Sequence, residues 1–445
     1  MKSLLSIFSV VMVLCGLTSN GQNIWSLQTC IDYALENNIQ IKQQGINTNY
    51  YENQLKQAKS ERLPNLNAQI GNDYNFGRSL TYYNTYENVN SATVSGGLGT
   101  DFTIFNGLTI KNQIERQELD LQATLMDLNK AKDDVMLYIV QAYMEILFAE
   151  ELVLVSEAQL EVTQQQISRA EQLVEAGSLA KGSLLEIQAQ LAREELTLVN
   201  DENAVKLAYL NLYQLLELPI SESFQIEKPI LPEVKANLSI SNSIDVYNNA
   251  LTVRPEIQAA MLRVKSAEKQ LDIAKGYRWP TLSLNANYYN LYNNQYKYIN
   301  SDNTIPVDEQ LKNNSRASVA LGLRIPIFNR SQVKTSIANS ELQISNTQYE
   351  LQTISNTLRK EIEQAFANAV ASLNKYVSTE KAVESMSEAF RYIEEKFNVG
   401  MVNSVDYNIQ KNQLTLAQSQ LLQAKYEFIF RTKILDFYNG VPIEL

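Results

Sequence analysis

The stretch LGLRIPIFNRSQVKTSIANSEL, from Leu321 to Leu342, changes its hydrophobic period in the middle. Apolar residues alternate with small or polar ones as far as Phe328, which is the pattern of a β-strand with one buried face. After Asn329 the apolar residues recur at helical spacing. Because only this junction separates the two patterns, the stretch predicts a strand that runs directly into a helix.

The same pattern occurs earlier as LGTDFTIFNGLTIKNQIERQEL, from Leu98 to Leu119, at an offset of 223 residues (321 minus 98). This offset also pairs Gly177 with Gly400, whereas Pro64 pairs with Pro280 at an offset of 216 residues (280 minus 64). Solenoid repeats span roughly 20–50 residues, so a repeat of about 200 residues indicates a duplicated domain.

Each half predicts the same order of elements: a short helix, two strands joined by a polar loop, and a long helical hairpin that turns at a glycine. The first repeat is predicted over residues 22–219, a linker over 220–243 and the second repeat over 244–445. The predicted strands lie at about 64–76, 92–105, 281–292 and 316–328, and the predicted hairpins at about 107–216 and 331–437, with tips at 177–182 and 400–403.

Residues 1–21 are typical of a secretory signal peptide. Lys2 supplies the positive charge, Leu4–Leu17 the apolar region, and Ser19 and Gly21 the small residues of a cleavage site. Cleavage there would leave Cys30 as the only thiol, so no intrachain disulfide is expected. No later segment predicts a transmembrane helix, because the most apolar helical stretch, MLYIVQAYMEILFAEELVLV, carries three glutamates.

The composition excludes several functions. The formal net charge is −11, so the chain lacks the basic surface expected of a nucleic-acid-binding protein. It contains no histidine, which excludes histidine-based acid–base catalysis and histidine-containing zinc sites. The carboxylates fall on helix surfaces at spacings typical of solvated faces, so no enzyme, cofactor or metal site is predicted.

The alternating segments have about the 9–11 residues that cross a bilayer as a tilted strand. The same alternation also fits an exposed antiparallel sheet on a soluble core. The export signal and the aromatic residues near the strand ends favour a membrane barrel. Since about eight strands are needed to close a barrel, oligomers of two copies (eight strands) or three (twelve) are predicted. The residues of the last strand predicted to face lipid are Val319, Leu321, Leu323, Ile325 and Ile327.

From Gly107 to Glu175 the chain contains no proline and no internal glycine, so a helix of roughly 100 Å is predicted. Apolar residues recur there at steps of three and four, which is typical of a coiled-coil seam and by itself also suits a scaffold protein. Further apolar residues lie off the seam. They favour a helical tube, because such a helix must contact neighbours on two sides.

Gly177 and Gly400 each interrupt a very long helical stretch and are predicted to be left-handed C-caps. Ser183 and Ser404 are predicted to be the N-caps of the returning helices. The residues between are short and partly apolar. Two interpretations stay open: a simple turn between helices, or a turn that also offers a partner-binding surface.

Taken in order, SLQTCIDYALENN, ALTVRPEIQAA, the two IFN junctions and the two glycine tips resemble the TolC family of bacterial outer-membrane export ducts, over essentially the whole mature chain. The resemblance implies a fold that is mainly α with membrane β, duplicated as helix, β-hairpin and long helical hairpin. It implies a homotrimer in outer-membrane lipid of a Gram-negative bacterium, with a twelve-stranded β-barrel continuous with a twelve-helix α-barrel in the periplasm.

The resemblance also implies roles for individual residues. The residues that would dock a periplasmic adaptor are Gly177, Ser178, Leu179, Gly400, Met401 and Val402. Those at the periplasmic entrance would be Asp406, Ser183 and Phe397, and those at the strand–helix junctions Phe105, Asn106, Gly107, Phe328 and Asn329. Ser183 replaces an aspartate of the family, Phe397 lacks a hydroxyl and Val402 replaces an arginine. The entrance-closing network of the family is therefore not expected here.

The function implied is that of a passive duct without catalysis. It would export small toxic molecules with a membrane-fusion adaptor and an inner-membrane transporter of the resistance–nodulation–division (RND) or ABC class. The exit channel of a type I protein or peptide secretion system is the alternative, because the transporter chooses the cargo in both. An exported coiled-coil scaffold is the alternative from a different class, and such a protein would extract without detergent.

Overall fold

A computed structural model describes residues 24–80, 84–219, 224–229 and 241–443. The predicted signal peptide, at 1–21, and most of the predicted linker, at 220–243, lie outside the described residues. The described chain is mostly helical. No helix in it is long and apolar enough to cross a membrane.

Two compact units divide the chain. One contains the described part of residues 1–46 together with 127–257 and 354–445, and the other contains 47–126 and 258–353. The first unit holds a helical core and both hairpin tips, and the second holds the main β-sheet.

The helices of the two halves repeat each other in length. The described helices are α1 (Leu27–Asn37), α2 (Ile39–Ser60), α3 (Thr109–Glu175), α4 (Lys181–Leu215), α5 (Ser243–Val253), α6 (Pro255–Gly276), α7 (Val307–Asn313), α8 (Gln332–Asn398) and α9 (Ser404–Tyr438). Apart from the short α7, both halves have helices of 11, 22, 67 and 35 residues. The first two begin 216 residues apart (243 minus 27) and the last two 223 apart (332 minus 109), as the sequence offsets require.

The first helix of each half is broken after 11 residues, so two helices stand where the sequence predicts one. In the first half Asn38 has extended backbone angles, and its side chain accepts the N–H of Gln40 over 2.9 Å at the start of α2. In the second half Arg254 is extended and Pro255 begins α6. A residue before proline avoids helical angles, and proline fits the first helical position because no N–H is needed there.

The strands form one main antiparallel sheet and two small pairs. The described strands are β1 (Ile24–Trp25), β2 (Asn67–Asn75), β3 (Arg78–Leu80), β4 (Tyr86–Asn88), β5 (Ser91–Phe105), β6 (Gln225–Ile226), β7 (Thr281–Asn293) and β8 (Arg316–Arg324). The main sheet has the order β2-β5-β7-β8. In the small pairs, β3 is antiparallel to β4 and β1 is parallel to β6.

Two strands are shorter than the sequence predicts. β8 ends at Arg324 rather than at Phe328. Pro326 has no N–H to donate to a neighbouring strand, so pairing stops before it. The two isoleucines on either side of this proline, predicted as lipid-facing strand residues, follow the strand and are exposed. At the other edge β2 begins at Asn67 instead of residue 64.

The two β-hairpins of the main sheet share one register. Ala68 lies opposite Leu98 in the first, and the equivalent Leu284 lies opposite Leu321 in the second. One face of the sheet is mainly apolar, and its most exposed large residues include Ile70, Tyr74, Val319, Leu321 and Leu323. The opposite face is mainly polar and includes Asn67, Gln69, Asp73, Asp101, Asn285 and Arg324. The described chain thus leaves a row of large apolar side chains uncovered.

The core of the first unit lies where α1 and the middle of α3 pack with the ends of α4 and α9. Val135, Ile139, Ala142 and Ile146 of α3 are each at most 2% exposed. This part of the predicted apolar seam is therefore confirmed. The hydroxyl of Tyr143, on the same stretch, donates to the carbonyl of residue 227 over 2.6 Å and holds the end of β6 against the core.

Candidate functional site

Both long hairpins turn at a glycine in the left-handed region. The φ angle is 71° at Gly177 and 77° at Gly400. The glycine N–H donates to the carbonyl three residues back, and the next N–H donates over 2.9 Å to the carbonyl five residues back, which closes the helix end. A β-carbon at either glycine would meet nothing within 4 Å. The backbone angle, rather than packing, therefore requires glycine.

The returning helices do not begin at the serines predicted to cap them. α4 begins before Ser183 and places this residue, half-buried, inside its first turn. The N-cap of α9 is Asn403 rather than Ser404, and its Oδ1 accepts the N–H of Asp406 over 2.8 Å. The first two residues of α4 also fall within the predicted tip at 177–182, which is therefore too long.

The tip residues differ in exposure. Met401 is 77% exposed and the adjoining Val399 is 70% exposed. Ser178 is exposed as well, whereas Leu179 and Val402 are half-buried. The turn between α8 and α9 thus leaves two large apolar side chains exposed.

Phe397, predicted to lie at the entrance, packs in the contact between α8 and α9. Its ring centroid lies 4.7 Å from that of Tyr407, and Phe390 lies 5.3 Å from the same ring. Tyr407 is 2% exposed, and its hydroxyl accepts a hydrogen bond from Gln166 of α3. Asp406 is exposed. The first turn of α9 thus has a carboxylate on its surface and a buried aromatic ring beside it.

Two further hydrogen bonds join the hairpins close to their tips. Arg169 of α3 donates to the side-chain oxygen of Asn398, at the end of α8, over 2.5 Å. Ser404, at the start of α9, donates to Glu186 of α4 over 2.5 Å. Together with the Tyr407 contact, these bonds tie the four long helices to one another near the tips.

A buried ion pair lies behind the tips, where α3, α4 and α9 meet. Lys411 Nζ is 3.4 Å from Glu194 Oε1, and the two side chains are 3% and 9% exposed. Thr163 donates to Glu194 over 2.5 Å and accepts from Lys411. Gln190 donates to Glu194 over 2.9 Å and to Asn412 over 2.8 Å. Both charges are paired and hydrogen-bonded, which is the condition under which proteins bury them.

Burial lowers the pKa of Lys411 below its usual 10.5, because desolvation penalises the charged ammonium, and the carboxylate of Glu194 opposes this shift. Between the lowered pKa and 10.5 the unfolded chain binds more protons than the folded one. Through this group the free energy of unfolding rises with pH across that interval. Below the lowered pKa the buried lysine is charged in the folded chain, so its full desolvation cost reduces the free energy of unfolding.

This buried cluster is not predicted from the sequence, although one signal for it exists. Glu194 follows Leu191 by three residues and precedes Leu198 by four, so it stands on the seam spacing of α4. A charge at a seam position indicates a buried charge whose partner must come from another helix. The local sequence pattern does not identify Lys411 as the partner, because it lies 217 residues from Glu194 along the chain.

The two strand–helix junctions share an unusual backbone turn. The φ angle is positive at Gly107 and Leu108 (67° and 65°) and again at Arg330 and Ser331 (53° and 63°). Consecutive left-handed residues are strained in L-amino acids, so the surroundings must hold them. The residues predicted for these junctions adjoin or form the turns: Phe105, Asn106, Gly107, Phe328 and Asn329. Gly107 is buried, whereas Phe328 is 84% exposed.

The sequence model of a family described as outer membrane efflux protein matches residues 30–217 and 246–430. The chain belongs to the outer membrane efflux protein family. The resemblance inferred from the sequence motifs is thereby confirmed. This efflux protein is a channel of the outer membrane of a Gram-negative bacterium, with its helical part in the periplasm, and it is not an enzyme.

Individual relatives of the efflux protein cover nearly all of it. The outer membrane efflux protein BepC of Brucella suis biovar 1 (strain 1330) is 20% identical over 430 residues, which is 96% of this chain and 88% of BepC. The proteases secretion protein PrtF of Dickeya chrysanthemi is 21% identical over 424 residues, 94% of this chain and 88% of PrtF. A crystal structure of the transmembrane channel CusC matches with a TM-score of 0.78 over 96% of both chains, at 16% identity. The predicted fold class is confirmed by this structural likeness.

Proposed function

We propose that this efflux protein is a passive duct through which small toxic molecules pass from the periplasm to the exterior, within a tripartite system. Three copies of the chain would act with a periplasmic membrane-fusion adaptor and an inner-membrane transporter of the RND or ABC class. One observation carries the proposal: a four-stranded sheet with two open edges continues, in each half, into a helix of 67 residues. Such a helix is about 100 Å long, far longer than a bilayer is thick.

Closure of the sheet supports the homotrimer. Among the described strands, β2 and β8 are each paired along one edge only. Eight strands, from two copies, would enclose roughly enough space for side chains alone, whereas twelve, from three copies, leave an open lumen. The apolar face of the sheet would then meet outer-membrane lipid, and the polar face would line the lumen.

The tips support the adaptor as the periplasmic partner. Met401 and Val399 present apolar surface to water at the turn between α8 and α9. The hydrogen bonds behind them hold the four helix ends in fixed positions. A preorganised apolar surface suits protein docking, because little conformational freedom is lost on binding.

An exit channel for protein or peptide secretion is the second candidate function. It is favoured by the likeness to PrtF, a proteases secretion protein, over 94% of this chain. Both candidates use the same duct. They differ in the transporter and in the cargo, so export assays with a toxic dye and with a secreted protein in a deletion strain would separate them.

Conductance tests the duct. The purified protein is expected to require detergent, to run as a trimer and to form stable open channels in planar bilayers. A protein that extracts without detergent, stays monomeric and gives no conductance would instead be a scaffold, and the duct would be rejected.

Asp406→Asn is expected to reduce the preference of the channel for cations. Three exposed carboxylates at the entrance, one from each copy, would raise the local cation concentration. Their loss should lower the cation-to-anion permeability ratio by about two- to tenfold, measured from reversal potentials in a salt gradient. Asp245→Asn removes an equal charge from an exposed position on α5 and serves as the control. Equal ratios in Asp406→Asn and wild type would place Asp406 away from the ion path.

Gly400→Val is expected to impair export by distorting the tip. Valine at a φ of 77° is strained although its side chain has room, so the turn must change its backbone. Cells carrying this variant should show the drug sensitivity of a partial deletion, with normal amounts of trimer. Gly45→Val, on α2, also meets nothing within 4 Å but has no left-handed φ, and should be tolerated. Undiminished drug resistance in Gly400→Val would count against the tip as a docking site.

A further inference from the structure

An apolar groove lies between the short helix α7 and the main sheet, within the second unit. Its volume is about 600 Å³, in the range of pockets that hold small ligands, roughly 300–1,000 Å³. Ile70, Gly96 and Asn290 lie opposite one another on three neighbouring strands and line the groove from the apolar face of the sheet. Val307 and Leu311, one turn apart on α7, line it from the other side. The connection between β7 and β8 therefore folds against the apolar face and leaves a groove there.

Amide side chains fix α7 in this position. β7 continues beyond Tyr289, where its pairing with β8 ends. Gln310 of α7 is 1% exposed, accepts the N–H of Asn293 over 2.9 Å and donates to the carbonyl of the same residue over 3.0 Å. Asn314 donates to the carbonyl of Leu291 over 2.9 Å. The backbone of β7 thus finds partners where β8 has ended, as a sheet in contact with lipid requires.

The surface that lines the groove is almost entirely apolar. Asn290, a polar residue of the groove, already has hydrogen-bond partners. Its Nδ2 donates to the carbonyl of Leu311 over 2.6 Å, and its Oδ1 accepts the N–H of Leu291 over 2.8 Å. The apolar side chains are instead uncovered, since Ile70 is 87% exposed and Leu98 is 47% exposed. Because a polar ligand would be desolvated here without compensating hydrogen bonds, the groove suits a hydrocarbon chain.

Gly96 keeps the floor of the groove open. A β-carbon there would meet its nearest neighbour, the backbone oxygen of Gln69, at 3.8 Å, which is ordinary contact. The φ angle of Gly96 is not left-handed either. The sheet itself would therefore accept a side chain at this position. A glycine inside a strand often marks a place where a ligand approaches the backbone closely.

We propose that this groove holds one hydrocarbon chain of a lipid from the outer leaflet of the outer membrane. The inference rests on the duct proposed above, in which the apolar face of the sheet meets lipid. The groove is continuous with that face, because Ile70 and Leu98 belong to both. α7 lies in the connection between β7 and β8, at the end of the sheet remote from the strand–helix junctions. With the helical part in the periplasm, this end is the exterior one.

The height of the groove fits the outer leaflet. Asn290 lies nine residues beyond Thr281, the first residue of β7. This is about 30 Å along the strand, or about 20 Å along the membrane normal at a tilt of about 45°. The apolar band of an outer-membrane barrel is about 25 Å tall, so the groove opens in its outer half. Tyr288 and Tyr292 line the groove at this height, where aromatic residues form a girdle.

Native mass spectrometry tests the groove on the full-length oligomer. The protein, purified in a mild detergent, is mixed with increasing amounts of a phosphatidylethanolamine that carries two palmitoyl chains. We expect one tightly held lipid for each copy of the chain, above the loosely bound lipid. Gly96→Leu should weaken this binding by about tenfold or more, because the leucine side chain displaces at least about two methylene groups of the lipid from the groove.

Two further variants make the test specific. Ala317→Leu is the matched control, because Ala317 is exposed on the same apolar face, opposite Tyr288, but outside the groove. It should bind lipid as the wild type does. Leu311→Asp places a carboxylate on the α7 side of the groove, at a residue that is 43% exposed and so tolerates a charge. It should weaken lipid binding as Gly96→Leu does, because the buried chain would desolvate the carboxylate. The yield of trimer and its conductance are measured for every variant.

The outcomes separate this inference from the proposed function. Tightly held lipid that is lost in Gly96→Leu and Leu311→Asp but kept in Ala317→Leu supports the groove. Conducting trimers that hold no tight lipid, that hold detergent in its place, or that bind lipid equally in wild type and both groove variants overturn the inference and leave the duct intact. Dissociation of the trimer in both groove variants would assign the groove to a contact between copies and overturn it as well. A wild-type chain that stays monomeric and does not conduct overturns both proposals.

Discussion

Gly107→Ala is expected to break the strand–helix junction of the first half. The new β-carbon would lie 2.2 Å from the backbone oxygen of Gly276 and 2.9 Å from Cβ of Trp279. Neither atom is the end of a flexible side chain, so backbone must move, and alanine must also adopt a φ of 67°. Overpacking costs about 1–3 kcal/mol and the left-handed angle about 1–2 kcal/mol more, so the free energy of unfolding should fall by about 2–5 kcal/mol.

Arg330→Ala is the matched control, because Arg330 occupies the equivalent position with a φ of 53° and is exposed. Its β-carbon is already accommodated, so the free energy of unfolding should change by less than about 1 kcal/mol. The measurement is the temperature at which the purified oligomer dissociates, together with the amount that reaches the outer membrane. Unchanged melting of Gly107→Ala, or equal losses in the two variants, would show that the first junction is no tighter than the second.

Lys411→Met is expected to destabilise the contact of α3, α4 and α9 by about 3–5 kcal/mol, the cost of leaving a buried charge without its partner. Glu194 would keep its hydrogen bonds from Thr163 and Gln190 but would lose its counter-charge. Amides around the pair that exchange through opening of this contact should exchange about 100 to several thousand times faster. Hydrogen exchange of α4 and α9 measures this directly.

Two variants control for this interpretation. Lys411→Met combined with Glu194→Leu removes both charges and should regain most of the lost protection, because an apolar pair of similar volume substitutes for a buried ion pair. Arg359→Met breaks the exposed pair with Glu363, whose side chains are 61% and 55% exposed, and should cost less than about 1 kcal/mol. If the amides of the double variant exchange as fast as those of Lys411→Met alone, the unpaired carboxylate of Glu194 is not the cause of the destabilisation.

The pH dependence of the same protection adds an independent readout. Burial lowers the pKa of Lys411, so the folded chain binds fewer protons than the unfolded chain between that pKa and 10.5. Local stability in the wild type should therefore rise as the pH increases through this interval. Lys411→Met lacks the group and should lose this part of the slope, once intrinsic exchange rates are corrected for.

Much of the architecture follows from local patterns. The duplication, the order of elements and the glycine turns are evident from the two offsets and from the period of the apolar residues. The sequence-based prediction is wrong at several ends of helices and strands. The break at Asn38 and the cap of α9 each depend on a single hydrogen bond. The strand β8 stops before Pro326 because that residue has no N–H to donate. Such details are decided by one residue and leave the period of the surrounding segment unchanged.

The sequence by itself determined the family, the duplicated unit and the succession of strand and long helix in each half, because the period of a segment depends on residues within a few turns of one another. The tertiary structure alone decided which distant residues meet. The pairing of Lys411 with Glu194 and the register of β5 against β7 join residues about two hundred positions apart. Those contacts form because folding packs distant helix faces and strand edges against each other. The periodicity within one segment does not show which distant segment it will contact.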